Sequence, residues 1–319
     1  MEYKYKKLNV DMYTDSLYKD GLQKSKLLTQ DEIKNTILNI GVFKLKGYVR
    51  AFRGKLSKYS IDDLFELYRI DRGISSNMFT LSSKIEVRLK SCLIEATYKL
   101  TDNPFFYLLK NSYIEDFTVH SESLYDWEAR HAKQKQKDEE YLHYRDYYLA
   151  NYDFDENKEK YLSNQKLIQL DQKLNINYPP FHYFVENMTL GSLIKILSKL
   201  TLDNKSILKL VANRFKILNP TVFLAYLLRL KEVRNRCAHN GRLFNRNYRG
   251  VKAMGDYKEI RKDIYNHRLL DVYYTLNFLL DDVDMIKNGD DLKNKFILEN
   301  LRLVDTEMEH FIMDCIRKR

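Results

Sequence analysis

The chain has 319 residues and a formal net charge of +10, from 54 Lys and Arg against 44 Asp and Glu. Its 44% hydrophobic residues exclude wholesale disorder, while its longest uncharged runs (217–228 and 174–185) are too short to span a bilayer. Neither a signal peptide nor a pattern of paired cysteines is visible, since Cys92, Cys237 and Cys315 lie far apart. We therefore expect a soluble cytoplasmic protein with reduced thiols, no metal site and no other cofactor.

The N-terminal third predicts long helices. The whole chain holds only 10 Gly and 4 Pro, so few residues are available to break a helix. Thr29 and Glu32 form the pattern of a capping box, and Ser60 with Asp63 offers a second helix start. Apolar residues then recur at steps of three and four, as on one helix face: Met78, Leu81, Ile85, Leu89, Cys92 and Ala96.

The middle of the chain differs from both ends. From about 120 to 173 it is dominated by Lys, Gln, Glu, Asp and Tyr, with charges of both signs at short spacing. We interpret this segment as a polar helical insertion or arm between two helical parts. The predicted division is an N-terminal part at 1–119, the insertion at 120–178 and a C-terminal part at 179–319, together forming one composite domain.

The C-terminal part again shows helical spacing. Leucines recur at 190, 193, 197 and 200, and a second apolar series runs from Phe296 through Met308, Phe311 and Ile312 to Cys315. No run of alternating, strand-like sequence is present. The fold class that we predict is all-α.

Positive charge is concentrated between Arg229 and Lys252. Eight of these 24 residues are basic, Glu232 is the only acid, and Phe244 and Tyr248 are interleaved. Such a mixture is typical of surfaces that bind phosphates and unstacked bases. The alternative is a solvated helix end, and composition alone does not choose between the two.

Within this window Arg234 and His239 are separated by four residues. Asn235 and His239 would share a helix face, and Asn240-Gly241 would stop the helix. Chance alone predicts about one pair of Arg and His at such spacing in a chain of this composition, and two are present, because Arg261 and His267 form a second pair. Only the first pair follows an apolar helix inside the basic cluster, so we interpret His267 as an ordinary surface or packing histidine.

The segment RNRCAHNGRLFNR at 234–246 resembles the signature of the Abi-like (AbiD/AbiF) abortive-infection family, part of the HEPN superfamily. The likeness extends to IGVFKLKGY at 40–48, LYRIDR at 67–72, KIEVR at 84–88 and the stretch 179–193. It thus covers most of the chain outside the insertion. The resemblance implies a HEPN-like helical bundle.

The resemblance also implies an antiphage, toxin-like, metal-independent endoribonuclease that is controlled by a bound small RNA. We expect a homodimer, because each chain has a single motif and a two-fold interface would supply both an acid and a base. The implied catalytic residues are Arg234, Asn235 and His239. Neighbouring basic, polar and aromatic residues are predicted to contact RNA: Arg229, Lys231, Arg236, Arg242, Phe244, Asn245, Arg246, Tyr248, Arg249 and Lys252.

Two other functions remain open at this stage. The basic cluster could belong to an RNA-binding module that binds a structured noncoding RNA without cleaving it, or to a protein-interaction scaffold with a positive surface. A steep salt dependence of RNA affinity would separate real phosphate contacts from the scaffold. Asp71, Arg72, Glu86 and Arg88 are interpreted as a structural ion network, with direct RNA contact as the alternative.

Overall fold

The computed structural model describes residues 9–104, 106–108, 112–114, 181–252, 267–280 and 289–317. Within these ranges it contains eleven α-helices and one two-stranded sheet, which confirms the all-α prediction. The predicted insertion at 120–178 and Arg261 lie outside the described residues. None of the described helices is both long and apolar enough to cross a membrane.

The first four helices are α1 (Val10–Lys19), α2 (Gln30–Ile40), α3 (Val42–Val49) and α4 (Ile61–Tyr98), with 3₁₀ turns at Arg50–Phe52, Leu56–Lys58 and Phe106–Leu108. Two of these four helices, α2 and α4, begin at the predicted capping pairs. Thr29 and Glu32 form both hydrogen bonds of the capping box. At the start of α4 the Ser60 backbone N–H donates to the Asp63 carboxylate, and the Asp63 backbone N–H donates to the Ser60 hydroxyl. Both predicted helix starts are confirmed.

Seven helices and the sheet follow the insertion. They are α5 (Phe181–Glu186), α6 (Leu190–Leu197), β1 (Thr201–Leu202) paired antiparallel with β2 (Lys205–Ser206), α7 (Ile207–Arg214), α8 (Pro220–Ala238), α9 (Leu269–Leu279), α10 (Gly289–Asn300) and α11 (Thr306–Arg317). The predicted apolar series that starts at Phe296 therefore belongs to two helices, with Phe296 on α10 and the remainder on α11.

The described residues divide into two compact units. One consists of Met1–Ile85 with Leu228–Arg319, and the other of Glu86–Leu227, so α4 and α8 each contribute residues to both. The first unit carries every predicted catalytic and RNA-contacting residue, because the window 229–252 lies wholly within it. The three-part division of the sequence stays a prediction.

Aromatic residues form part of the core of each unit. In the first unit the rings of Phe52 and Phe311 stack at 5.1 Å between centroids. In the second unit Phe106 packs on Phe181 at 4.5 Å. The predicted α4 face is buried at Met78, Ile85, Leu89 and Ala96 and half-buried at Leu81 and Cys92, while all four leucines of the 190–200 series are buried.

Candidate functional site

The end of α8 places His239 at a helix C-terminus. The helix ends at Ala238, and Asn240 adopts a left-handed conformation with φ of +51°. The Gly241 N–H donates to the Arg236 carbonyl at 2.7 Å, the bond that closes a Schellman motif. A side chain at Gly241 would lie 3.1 Å from that carbonyl oxygen, which explains the glycine. The helix stop predicted at Asn240-Gly241 is confirmed.

The three predicted catalytic residues differ in exposure. Asn235 and His239 are exposed one turn apart, and the His239 backbone N–H donates to the Asn235 carbonyl at 3.0 Å. Arg234 is half-buried, with its guanidinium carbon 5.8 Å from the ring centroid of Phe79. The catalytic roles of all three residues stay predictions.

Arg229 has a structural position that sequence reasoning missed. Its side chain is fully buried and donates through Nη1 to Asp271 at 2.5 Å and to the Thr275 hydroxyl at 2.9 Å, and through Nε to the Arg249 carbonyl at 2.6 Å. A buried cation is stable only when paired in this way. The predicted RNA contact of Arg229 is therefore corrected to an internal ion pair.

The two aromatic residues of the basic window are also core residues. Phe244 is 1% exposed and lies 6.1 Å from the ring of Phe311, while Tyr248 is 4% exposed and donates its hydroxyl to the Leu243 carbonyl at 2.8 Å. Burial raises the pKa of Tyr248. Neither ring has an open face for a base, so the predicted stacking on RNA is corrected to packing.

The remaining basic residues of α8 and its following segment reach the surface to different degrees. Arg236 pairs with Glu232 at 2.9 Å, and the Arg249 backbone N–H donates to the same carboxylate at 3.1 Å. Lys231 is half-buried, whereas Arg249 and Lys252 are exposed. Glu232 thus offsets the charge of Arg236, and Arg249 and Lys252 present theirs to solvent.

The loop after the helix stop is held by Arg268. Asn245 is left-handed, with φ of +47°, and its Oδ1 lies 3.5 Å from Nη1 of Arg268. The carbonyl of Arg246 lies 3.4 Å from the same nitrogen. Both Asn245 and Arg246 therefore shape this loop, while their side chains stay half-exposed, as does that of Arg242.

Asp71 of α4 binds this loop directly. Its buried carboxylate accepts hydrogen bonds from the backbone N–H groups of Leu243 (3.2 Å) and Phe244 (2.8 Å) and from the hydroxyl of Tyr48 (2.5 Å). Burial, followed by the charge of Asp71, raises the pKa of Tyr48, so this phenol stays a donor. Nothing in the local sequence indicated that the partner of Asp71 was the loop.

Arg72 also binds the loop, and Asp71 and Arg72 together form what is termed the α4 anchor. One of its nitrogens, Nη2, donates to Asp71 and to the carbonyl of Gly241, each at 2.8 Å. The structural interpretation of Asp71 and Arg72 fits these contacts. In the second unit Glu86 lies 3.7 Å from Lys90 on the next turn of α4.

His182 and Cys237 occupy positions suited to packing, whereas His267 lies at the surface. The Nδ1 of His182 shares a 2.8 Å hydrogen bond with the Tyr98 hydroxyl, and burial lowers the pKa of His182. Cys237 is buried, and burial raises the pKa of its thiol, which disfavours a nucleophilic thiolate. His267 is exposed, with Nδ1 3.3 Å from the carbonyl of Tyr248.

Within the ranges that the structure describes, no three His, Cys, Asp or Glu side chains lie close enough to hold a metal ion. Comparison with models of protein families matches residues 35–245 to the family described as Abi-like protein. This match includes the α4 anchor and the Arg–His segment. No curated protein and no solved structure matches the chain.

Proposed function

We propose, because the chain belongs to the Abi-like protein family, that it is a metal-independent endoribonuclease of the HEPN type. Family membership supports a function of the abortive-infection type. The proposal adds the activity, RNA cleavage in the cytoplasm of the infected cell, and the residues that perform it, Arg234, Asn235 and His239.

The observation that carries the proposal is the combination of an exposed imidazole and a firmly held backbone. His239 is open to solvent at the end of α8, while Asp71 and Arg72 hold the loop that begins two residues later. Catalysis gains from groups that need no reorganisation when charge develops. An anchored helix end beside a half-buried guanidinium, that of Arg234, meets this requirement.

The chemistry suits these residue types. RNA supplies its own nucleophile, so the 2′-oxygen attacks the adjacent phosphorus, the P–O5′ bond breaks, and the products carry a 2′,3′-cyclic phosphate and a 5′-hydroxyl. One group must accept the 2′-hydroxyl proton and another must protonate the leaving 5′-oxygen. A neutral His239 can do the first and a protonated His239 the second. The Arg234 guanidinium would stabilise the charge on the phosphorane.

A homodimer would supply both histidines. Each chain has one Arg234–His239 pair, and a two-fold interface brings two copies of the same surface together. We propose that the two helix ends face each other across this axis. Sedimentation velocity with parallel cleavage assays tests this, since a monomer that cleaves at the full rate would contradict a shared site.

RNA cleavage by variants tests the activity. Loss of a general acid–base in His239→Ala should reduce the rate about 10²–10⁴-fold. Loss of the phosphate donor in Arg234→Ala should reduce it on the order of 10²–10³-fold, and Asn235→Ala should give an intermediate defect. The matched control is His267→Ala, which should cleave like the unaltered protein.

The products and the metal dependence provide the decisive measurement. Cleavage should persist in EDTA and leave 2′,3′-cyclic phosphate ends. Activity that is lost in EDTA and returns with Mg²⁺ would contradict the mechanism.

A second candidate function is that of a module that binds a structured noncoding RNA without cleaving it. It is favoured by the guanidinium groups that lie outside the Arg–His pair, such as those of Arg242 and Arg246. Under this alternative His239→Ala and the unaltered protein would bind RNA equally and neither would cleave it. Sequencing of the nucleic acid that copurifies with the protein would identify such an RNA.

A further inference from the structure

Arg242 lies flat against helix α3 at a glycine. A side-chain carbon built on Gly47 would be only 3.1 Å from Nη1 of Arg242 and 3.2 Å from its guanidinium carbon. The same guanidinium lies 5.9 Å from the ring centroid of Tyr48. An alanine at position 47 would require the guanidinium of Arg242 to move by a few tenths of an ångström, so the glycine allows Arg242 to lie this close to α3.

Two more arginines lie near this contact along the chain: Arg50 follows Gly47 by three residues, and Arg246 follows Arg242 by four. Burial lowers the pKa of Arg242, and the neighbouring positive charges of Arg246 and, more weakly, Arg50 lower it further. Arg50 is exposed just after α3, one turn beyond Gly47, and Arg246 is half-exposed in the loop after α8. The segment around Gly47 and the loop after α8 meet at the contact between Gly47 and Arg242, and together they carry these three arginines.

The charge of these three arginines is not neutralised by ion pairs within the described residues. The Nη1 of Arg242 is buried and has no hydrogen-bond acceptor there, and no carboxylate forms an ion pair with Arg50, Arg242 or Arg246. The carboxylate of Asp71 acts on Arg242 through its charge but already accepts hydrogen bonds from Arg72, Tyr48 and two backbone N–H groups. Clustered cations without counter-charge raise the free energy of the folded state unless an anion binds.

We propose that Arg50, Arg242 and Arg246 form a phosphate-binding site for the backbone of an RNA strand, separate from the Arg234–His239 pair. The planar fork of a guanidinium matches a phosphodiester through two parallel hydrogen bonds, which a lysine cluster would not provide. Arg242 and Arg246 lie on the loop that begins two residues after His239, so a strand bound there would contact the segment that follows the proposed cleaving residues. That the three arginines bind a phosphate is inferred independently of the proposed function, whereas the identification of this phosphate as part of an RNA rests on it.

Equilibrium binding of a labelled oligouridylate to the full chain tests the site. The His239→Ala background prevents cleavage, and the affinity is measured from about 50 to 200 mM salt. Arg50→Gln, Arg242→Gln and Arg246→Gln should each reduce the slope of log affinity against log salt by about 0.7, the value for one single-strand phosphate contact. Arg302→Gln removes an exposed charge elsewhere in the unit and should leave the slope unchanged.

A pair of glycine variants tests the geometry without changing any charge. Gly47→Ala should shift the guanidinium of Arg242 by a few tenths of an ångström and weaken binding modestly, whereas Gly73→Ala has nothing within 4 Å of the added carbon and should bind normally. Thermal unfolding of each variant checks that the fold survives. Equal RNA affinity of the two alanine variants would contradict the position that we assign to Arg242.

The source of the phosphate is distinguished by competition. Inorganic phosphate should displace the RNA only at high concentration, and its weak affinity should fall in the same three arginine variants. The proposal would be overturned if the unaltered protein bound phosphate tightly and the variants lost this binding, while the slope of log RNA affinity against log salt stayed unchanged. If the variants lose slope but the unaltered protein never cleaves RNA, this site stands and the proposed ribonuclease function fails.

Discussion

The buried carboxylate of Asp71 accepts a 2.8 Å hydrogen bond from the backbone N–H of Phe244, 173 residues further along the chain. This contact joins helix α4 to the loop that follows the Arg–His segment. It explains why an acid next to Arg72 matters for residues that are distant in sequence. The loop keeps its position because its amide groups would otherwise be buried without a partner.

Asp71→Asn should destabilise the protein strongly. The amide keeps the shape of the buried carboxylate but leaves the half-buried Arg72 without its counter-charge, a change that costs about 3–5 kcal/mol in comparable pairs. Urea unfolding measures the loss, and hydrogen exchange at the Phe244 amide should accelerate. Asp314→Asn, an exposed change on α11, is the control and should stay within about 0.5 kcal/mol. Equal stability of both variants would contradict the anchor.

Arg229→Met should unfold more easily while leaving RNA contacts untouched. The substitution leaves the buried carboxylate of Asp271 without its cation, so the free energy of unfolding should fall by about 3–5 kcal/mol. Adding Asp271→Leu should recover part of this loss, because two apolar side chains replace the ion pair. Arg249→Gln, exposed nearby, serves as the control. A salt slope of RNA binding that falls in a still-folded Arg229→Met would show that the buried pair does reach RNA.

The left-handed conformation of Asn240 predicts opposite effects of two substitutions. Asn240→Gly should be close to neutral, whereas Asn240→Ala should cost about 1–2 kcal/mol, because a Cβ is unfavourable at positive φ. Asn213→Ala, on an ordinary exposed position of α7, should not destabilise. Thermal unfolding separates them, and equal losses at 240 for alanine and glycine would contradict the helix stop.

His182 should make stability depend on pH. Burial lowers its pKa in the folded protein below the ordinary 6.5, with Glu186 opposing this in part. Below about pH 6.5 the unfolded chain therefore binds more protons than the folded one, and stability falls as the pH falls through the folded pKa. His182→Gln should flatten this dependence between pH 5 and 7. Urea unfolding at several pH values measures it, and an unchanged slope would contradict a buried neutral imidazole.

Local sequence determined the helices and their ends. The bonds of a capping box join residues three apart, so Thr29 with Glu32 and Ser60 with Asp63 could be identified without knowledge of the fold. The Asn240-Gly241 stop is local for the same reason. The all-α class followed from helical spacing and from the scarcity of residues that break helices.

Only the tertiary structure decided which members of the basic window reach solvent. Arg229 is neutralised by Asp271, 42 residues away, and Phe244 packs against Phe311 of α11, so neither burial leaves a signal in the window itself. The same holds for Arg242, which lies close to α3 because Gly47 has no side chain, 195 residues earlier in the chain. Charge and aromatic content can be counted in a sequence, but burial depends on contacts between distant segments, which only folding brings together.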